Sequence, residues 1–170
     1  MTLTEVITLL KLAVNIYHEQ SKRSRDAGAP LAACVMVGAT LEAVLISVTN
    51  LLYDAAIKTG EAPKNGKKIK RLSDWTFFEL LKVAKAAEWL PNELRREPSL
   101  DRFNVRTVPT DTIREVRNLI HPARYWKERG GHQYTDQEVH TLYVACHTAY
   151  THLIDELRLR YPHLPTFRSE

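Results

Sequence analysis

The segment Leu31 to Leu52 constrains this chain more than any other. It is apolar on nearly every side through Leu45, and a helix with no polar face needs other helices packed all around it. Pro30 is a favoured first helical residue and Gly60 a stop, which predicts a helix from Pro30 to about Thr59. Gly38, Thr40, Glu42, Ser47, Thr49 and Asn50 interrupt the apolar run, so it reads as a buried helix rather than a membrane span. Ala32, Ala33, Gly38, Ala39 and Ala43 leave room for close helix approach. Glu42, flanked by Leu41, Ala43, Val44 and Leu45, is a carboxylate that such surroundings penalise unless it is paired.

The rest of the chain supplies the partners. Val6, Leu9, Leu10, Ala13, Ile16 and Tyr17 form one helical stripe, predicting a helix from about Thr4, its cap, to Arg25. Thr76 followed by Glu79 is a capping box, with Phe77, Leu80, Leu81, Ala84 and Ala87 behind it, ending near Trp89. A second box, Thr135 and Glu138, opens a helix to about Arg160 whose stripe is Val139, Leu142, Cys146, Ala149, Tyr150, Leu153 and Leu157. Asp111 to Ile120 is a shorter helix capped by Asp111 or Thr110. Asn92 to Arg96 reads as one helical turn, and Pro98 to Pro109 as an irregular connection with Phe103 and Val105 on the core. No alternating strand pattern persists and nothing repeats. The expected fold is all-α, an antiparallel bundle of four long helices plus a short one. It forms a single domain over 1–170, with 161–170 a loosely held tail.

Composition narrows function only slightly. The apolar fraction of 44% and charged fraction of 26% are those of an ordinary soluble protein. The net charge of +4 permits an RNA or phosphate partner without requiring one. The N-terminus has no basic stretch leading into an apolar one. Cys34 and Cys146 sit in apolar helical patterns and read as reduced core thiols, which places the chain in a reducing cytoplasm. No two of the seven histidines have the i, i+4 spacing of helical zinc ligands, and there is no C-x-x-C. No metal or other cofactor is therefore expected. No phosphate-binding glycine loop and no G-x-S-x-G turn occurs.

The chemistry-bearing stretch is Ile113 to Tyr125, I-R-E-V-R-N-L-I-H-P-A-R-Y. Ile113, Val116 and Ile120 share one helical face. Arg117 and His121, four apart, lie above one another on a neighbouring face. Pro122 disfavours helical backbone at His121, setting the imidazole at a helix C-terminus, where its protonated form is stabilised. A guanidinium beside a titratable imidazole suits an anionic phosphate. A purely structural use is equally open: an arginine pairs with Glu42, while Asn118 and His121 cap backbone groups. A second basic run, Lys64, Lys67, Lys68, Lys70 and Arg71, lies in the loop from Glu61 to Arg71 with a turn at Asn65-Gly66. It reads as a solvated loop or as an RNA-backbone contact.

R-N-L-I-H-P in the penultimate helix resembles the HEPN superfamily of helical bundles. So do T-L-E-A-V-L in the central helix, W-T-F-F-E-L-L at a helix start, and the long final helix. The order of elements matches over about Leu31 to Leu157. The resemblance implies a homodimer with two motifs facing across the interface. It implies cleavage of RNA without a metal, the ribose 2′-hydroxyl acting as internal nucleophile, in a toxin or defence setting with an antitoxin protein as a further partner; no membrane is expected, given the polar residues that interrupt Leu31 to Leu52. Arg117 with Asn118 reproduces the family's Arg-polar start, but three residues separate Arg117 from His121, fewer than the family spacer. Arg114, with six residues between it and His121, falls within range but is followed by Glu115. Either arginine fits the catalytic role, and the other is left for Glu42. On this resemblance the catalytic set is Arg114, Arg117, Asn118 and His121. Glu42 fixes the arginine from behind, and Arg124, Tyr125, Lys67, Lys68, Lys70 and Arg71 guide the RNA. The short spacer also fits a non-catalytic HEPN-like module that dimerises or binds RNA or nucleotide.

Overall fold

The computed structural model describes residues 2–95, 107–116, 127, 130 and 134–162. Over these the chain is mostly helical, as expected of an all-α protein, with two small antiparallel ribbons added. The first helix, α1 (Leu3–Leu12), is capped by Thr2 rather than Thr4: the Thr2 hydroxyl accepts from the Glu5 N–H, and the Glu5 carboxylate accepts from the Thr2 N–H at 2.6 Å. A π-helical turn follows over Ala13–His18, and the helix resumes as α2 (Glu19–Asp26). The wider turn holds one residue more than an α turn, so the buried face is delayed. Leu10, Ala13, His18 and Ser21 are buried, while Ile16, expected in the stripe, is 48% exposed. Ser21 then donates its hydroxyl proton to the Ala33 carbonyl at 2.8 Å, tying α2 to the next helix.

That helix, α3 (Pro30–Leu51), is the centre of the fold. It touches α1, the π turn and α2 as well as the later helices. Buried residues appear all around it, from Ala33 and Cys34 to Val48 and Thr49. The hydroxyls of Thr40 and Ser47 donate to carbonyls one turn back, at Met36 and Ala43, so they cost little in the core. By length and composition α3 could cross a bilayer; 61% of its most apolar stretch is buried, the pattern of a core helix. The helical run does not reach Thr59 unbroken. Leu52 leaves helical geometry, and a short α4 (Tyr53–Lys58) follows before Gly60, whose φ is +77°.

The expected loop contains a hairpin, β1 (Lys64–Asn65) and β2 (Lys68–Ile69), with Lys64 opposite Ile69 and Asn65 opposite Lys68. Gly66 at φ +61° takes the first central position of the two-residue turn, the geometry that matches strand twist. Strands of two residues are too short to show an alternating pattern, which is why the sequence concealed them. The capping box of α5 (Phe77–Ala86) forms as expected, with Glu79 also bound by Lys70 at 2.7 Å. Burial opposes ionisation of Glu79, but the Lys70 and Thr76 hydrogen bonds outweigh it and leave the carboxyl more acidic than usual. The helix ends with Glu88 at φ +59°; the Trp89 N–H reaches back to the Ala84 carbonyl and Trp89 is buried.

In place of the helical turn expected from Asn92, β3 (Glu93–Arg95) pairs antiparallel with β4 (Thr107–Pro109), Leu94 opposite Val108, and Arg96 lies outside the described residues. Leu94 is buried. Phe103 and Val105 lie outside the described residues. The next segment, Thr110–Glu115, is wound as a 3₁₀ helix rather than the α-helix expected there. The last long helix, α6 (Asp136–Arg160), opens on the expected Thr135–Glu138 box and runs against α3. Every residue of its predicted stripe is buried, Cys146 included. One hydrophobic cluster joins α1, α3, α5, the 3₁₀ segment and α6. Residues 163–170 lie outside the described residues.

Candidate functional site

Arg114 is the one member of the motif set that the structure describes, and its position follows from 3₁₀ geometry. Residues three apart eclipse one another in such a helix. Ile113 and Val116 are both buried, while Asp111 and Arg114 are both exposed on the opposite side. Thr110 anchors the start of the segment: its N–H donates to the Asn92 carbonyl at 3.0 Å and its hydroxyl to the Pro91 carbonyl.

The exposed side meets the outer face of α5 across a cleft of about 410 Å³. Phe78, Lys82 and Lys85 lie on that face, at spacings of four and three. The Arg114 guanidinium sits 4.6 Å from the centre of the Phe78 ring, a cation–π arrangement. Lys85 bridges to Asp111 at 3.1 Å, and Lys82 is paired with Glu61. Leu81, Ala86, Asn92 and Thr110 complete the lining. The cleft therefore carries three cations against two carboxylates, with an aromatic ring among them.

Val116 decides how the motif segment meets the centre of the fold. A Cβ built at Gly38 would stand 2.5 Å from Val116 Cγ1, so the glycine is what lets the two backbones approach. Glu42, half-buried, is one turn further along α3 from Gly38 and on the same face. It has an interaction partner and is not a lone buried charge. Arg117, Asn118, His121, Arg124 and Tyr125 lie outside the described residues. Of the loop cations, Lys64, Lys67, Lys68 and Arg71 are exposed on and beside the hairpin, whereas Lys70 is engaged with Glu79. No group of three His, Cys, Asp or Glu side chains suited to a metal comes together among the described residues.

A second cluster escaped the sequence reading. His18, from the π turn, meets His147 of α6 with ring centres 5.3 Å apart, and Tyr150 at 4.9 Å. Tyr143 lies 6.0 Å from His147, and the Arg25 guanidinium stands 5.8 Å from the Tyr143 ring. Both His18 nitrogens, Nδ1 of His147 and the Tyr143 hydroxyl are buried and have no hydrogen-bond partner among the described residues. Burial first, then Lys22, opposed in part by Glu19 and helped by Arg25, push His18 down to about 4. Burial and then His18 itself, with Arg25 and Lys22, push His147 down to about 4 as well. The only sequence signal was the spacing of Tyr143, His147 and Tyr150 by four and three on α6; nothing marked His18, because the π turn that buries it has no simple residue signature.

Comparison of the chain with family models, curated proteins and solved structures finds no match.

Proposed function

We propose that this protein is a HEPN-like, metal-independent endoribonuclease that cuts RNA through the 2′-hydroxyl, of the kind that serves as a toxin or defence effector. The observation that carries the reading is Arg114. The first arginine of the motif stands exposed in a cationic cleft, where a phosphate can reach it, while its neighbour Val116 is seated on α3 one turn from Glu42. In this reading His121 takes the proton of the 2′-hydroxyl or gives one to the leaving 5′-oxygen, work that suits an imidazole because imidazoles as a class titrate near neutral pH. Arg117 or Arg114 holds the phosphate with two parallel hydrogen bonds and offsets the charge that builds on it. Asn118 orients the histidine or the phosphate, and Glu42 holds the arginine in place. A second copy of the chain supplies the complementary acid or base.

The test is cleavage of single-stranded RNA by the purified protein in a chelator. The expected products carry a cyclic 2′,3′-phosphate and a 5′-hydroxyl, and DNA of the same sequence stays intact. His121→Ala should abolish cutting and leave the melting curve unchanged. Cutting that survives this substitution, or none by the wild type on any RNA tried, removes the reading.

A second reading, a non-catalytic module that dimerises, draws on the apolar residues left on the surface of the first helix and its neighbour. Leu12, Ile16 and Leu31 are 41%, 48% and 49% exposed. It expects a dimer in solution that dissociates on Leu12→Asp or Ile16→Asp, with no cleavage by either form.

A further inference from the structure

Resting on the ribonuclease reading above, we infer that the cleft between α5 and the 3₁₀ segment is a subsite for single-stranded RNA, with Phe78 as the stacking surface for a base and Arg114, Lys82 and Lys85 as the phosphate contacts. Phe78 is 44% exposed although it lies next to the buried Phe77. An aromatic ring held at the surface among cations is the pairing that single-stranded nucleic acid uses, because every base offers a π face and every linkage a charge. Paired strands bury their base faces and cannot use the ring. The Glu61–Lys82 and Lys85–Asp111 pairs do not close the site: exposed ion pairs of this type contribute little, so a phosphate displaces the carboxylates at small cost.

The basic hairpin extends the path. Glu61, in the cleft wall, is three residues ahead of β1, and Lys70, just after β2, is bound to Glu79, the residue next to Phe78. The Lys70–Glu79 pair thus fastens one root of the hairpin to α5, and Glu61 sets the other beside the cleft. Between Ala62 and Ser73 there are five basic residues and no acidic one, and Lys64, Lys67, Lys68 and Arg71 are exposed. A mononucleotide would leave these charges unused; a strand several nucleotides long engages both hairpin and cleft. The ring and the cations are blind to the sugar, so a DNA strand of the same sequence should occupy the cleft and inhibit without being cut.

The experiment measures binding of a short labelled oligoribonucleotide to the His121→Ala protein by fluorescence anisotropy, at several salt concentrations. Phe78→Ala in that background should weaken binding about 5- to 150-fold, the range for loss of one stacked base, and Phe78→Trp should restore it. Lys82→Ala with Lys85→Ala, and separately Lys67→Ala with Lys68→Ala, should flatten the dependence of log affinity on log salt by about 0.7 for each lysine in contact. The Phe78→Ala protein should stay folded, its melting temperature lowered by no more than about 2–4 °C for the loss of the ring's partly buried area and its contact with Arg114. If the parent binds RNA and the Phe78 and Lys82/Lys85 variants bind equally well, the subsite is refuted while the ribonuclease reading stands. If the parent binds no RNA and the wild type cuts none, both fall together.

Discussion

Gly38→Ala turns the close approach of the motif segment to α3 into a measurable sign. In a helix interior with open space around it, replacing glycine by alanine raises stability by roughly 1 kcal/mol, because alanine restricts the unfolded chain and favours the helix. At Gly38 the new Cβ would lie 2.5 Å from Val116 Cγ1. Carbon atoms in contact prefer roughly 3.5–4.0 Å, so about 1 Å of overlap must be relieved between two backbones already packed on the core. Overpacking of this kind costs about 1–3 kcal/mol. The net expectation is destabilisation by about 1 kcal/mol, opposite in sign to the open-helix case. For a chain of this length that lowers the melting temperature by about 2–4 °C.

The assay is a denaturant and thermal melt of four proteins: wild type, Gly38→Ala, Val116→Ala and the double variant. Val116→Ala alone should destabilise by about 1–2 kcal/mol, the cost of removing buried methyl groups. In the Gly38→Ala background it should cost at least 1 kcal/mol less (roughly the clash it removes), a coupling that only residues in contact show. A Gly38→Ala protein more stable than the wild type, with the two substitutions additive, would mean that Val116 does not rest on Gly38. The geometry that seats the motif one turn from Glu42 would then be lost.

Two further outcomes follow from the backbone and from the histidine pair. Glu88 adopts φ +59° at the end of α5, a conformation that costs an L-residue about 1 kcal/mol and that glycine adopts freely; Glu88→Gly should raise stability by about that amount in a denaturant melt, and an unchanged or lower midpoint would contradict the assignment. His18 and His147 are each held near 4, against 6.5 for an ordinary histidine, so below pH 6.5 the unfolded chain binds protons that the folded chain refuses. Their contribution is complete above about pH 7 and is lost as the pH falls toward 4. Allowing for partial solvent screening, the pair should remove about 1–2 kcal/mol between pH 7 and 5.5. Melts across that range should show the loss in the wild type and a shallower slope in His18→Gln and His147→Gln; equal slopes in all three would rule the pair out as the cause.

The long helices were legible because their signals are local. Capping boxes at Thr76 and Thr135 formed as read, and the central apolar run carries buried residues all around from Ala33 onward, although Leu31 and Ala32 at its start are exposed. What was missed depends on choices that neighbouring residues do not dictate. The hairpin at Lys64–Ile69 is too short for a period of two to show. The pairing of Glu93–Arg95 with Thr107–Pro109 is set between segments a dozen residues apart. The 3₁₀ winding of Thr110–Glu115 keeps Ile113 and Val116 on one face, as an α-helix also would, so periodicity could not tell them apart. Of the candidate site, Arg114 was singled out from the sequence, but its surroundings were not. Nothing in the sequence singled out Phe78, Lys82 or Lys85; the fold sets them opposite Arg114.

The wide turn at Ala13–His18 also fixes the relation between the two halves of the first helical arm. Removing a single residue there would let the arm wind as one regular α-helix, yet would swing everything ahead of it by about 100°. Val6 and Leu10, fully buried as built, would then turn toward water, or else His18 and Ser21 would leave the interior. The arm thus works like two keys cut on one shaft, each fitted to its own lock in α3 and α6, and its length between them admits no shortening.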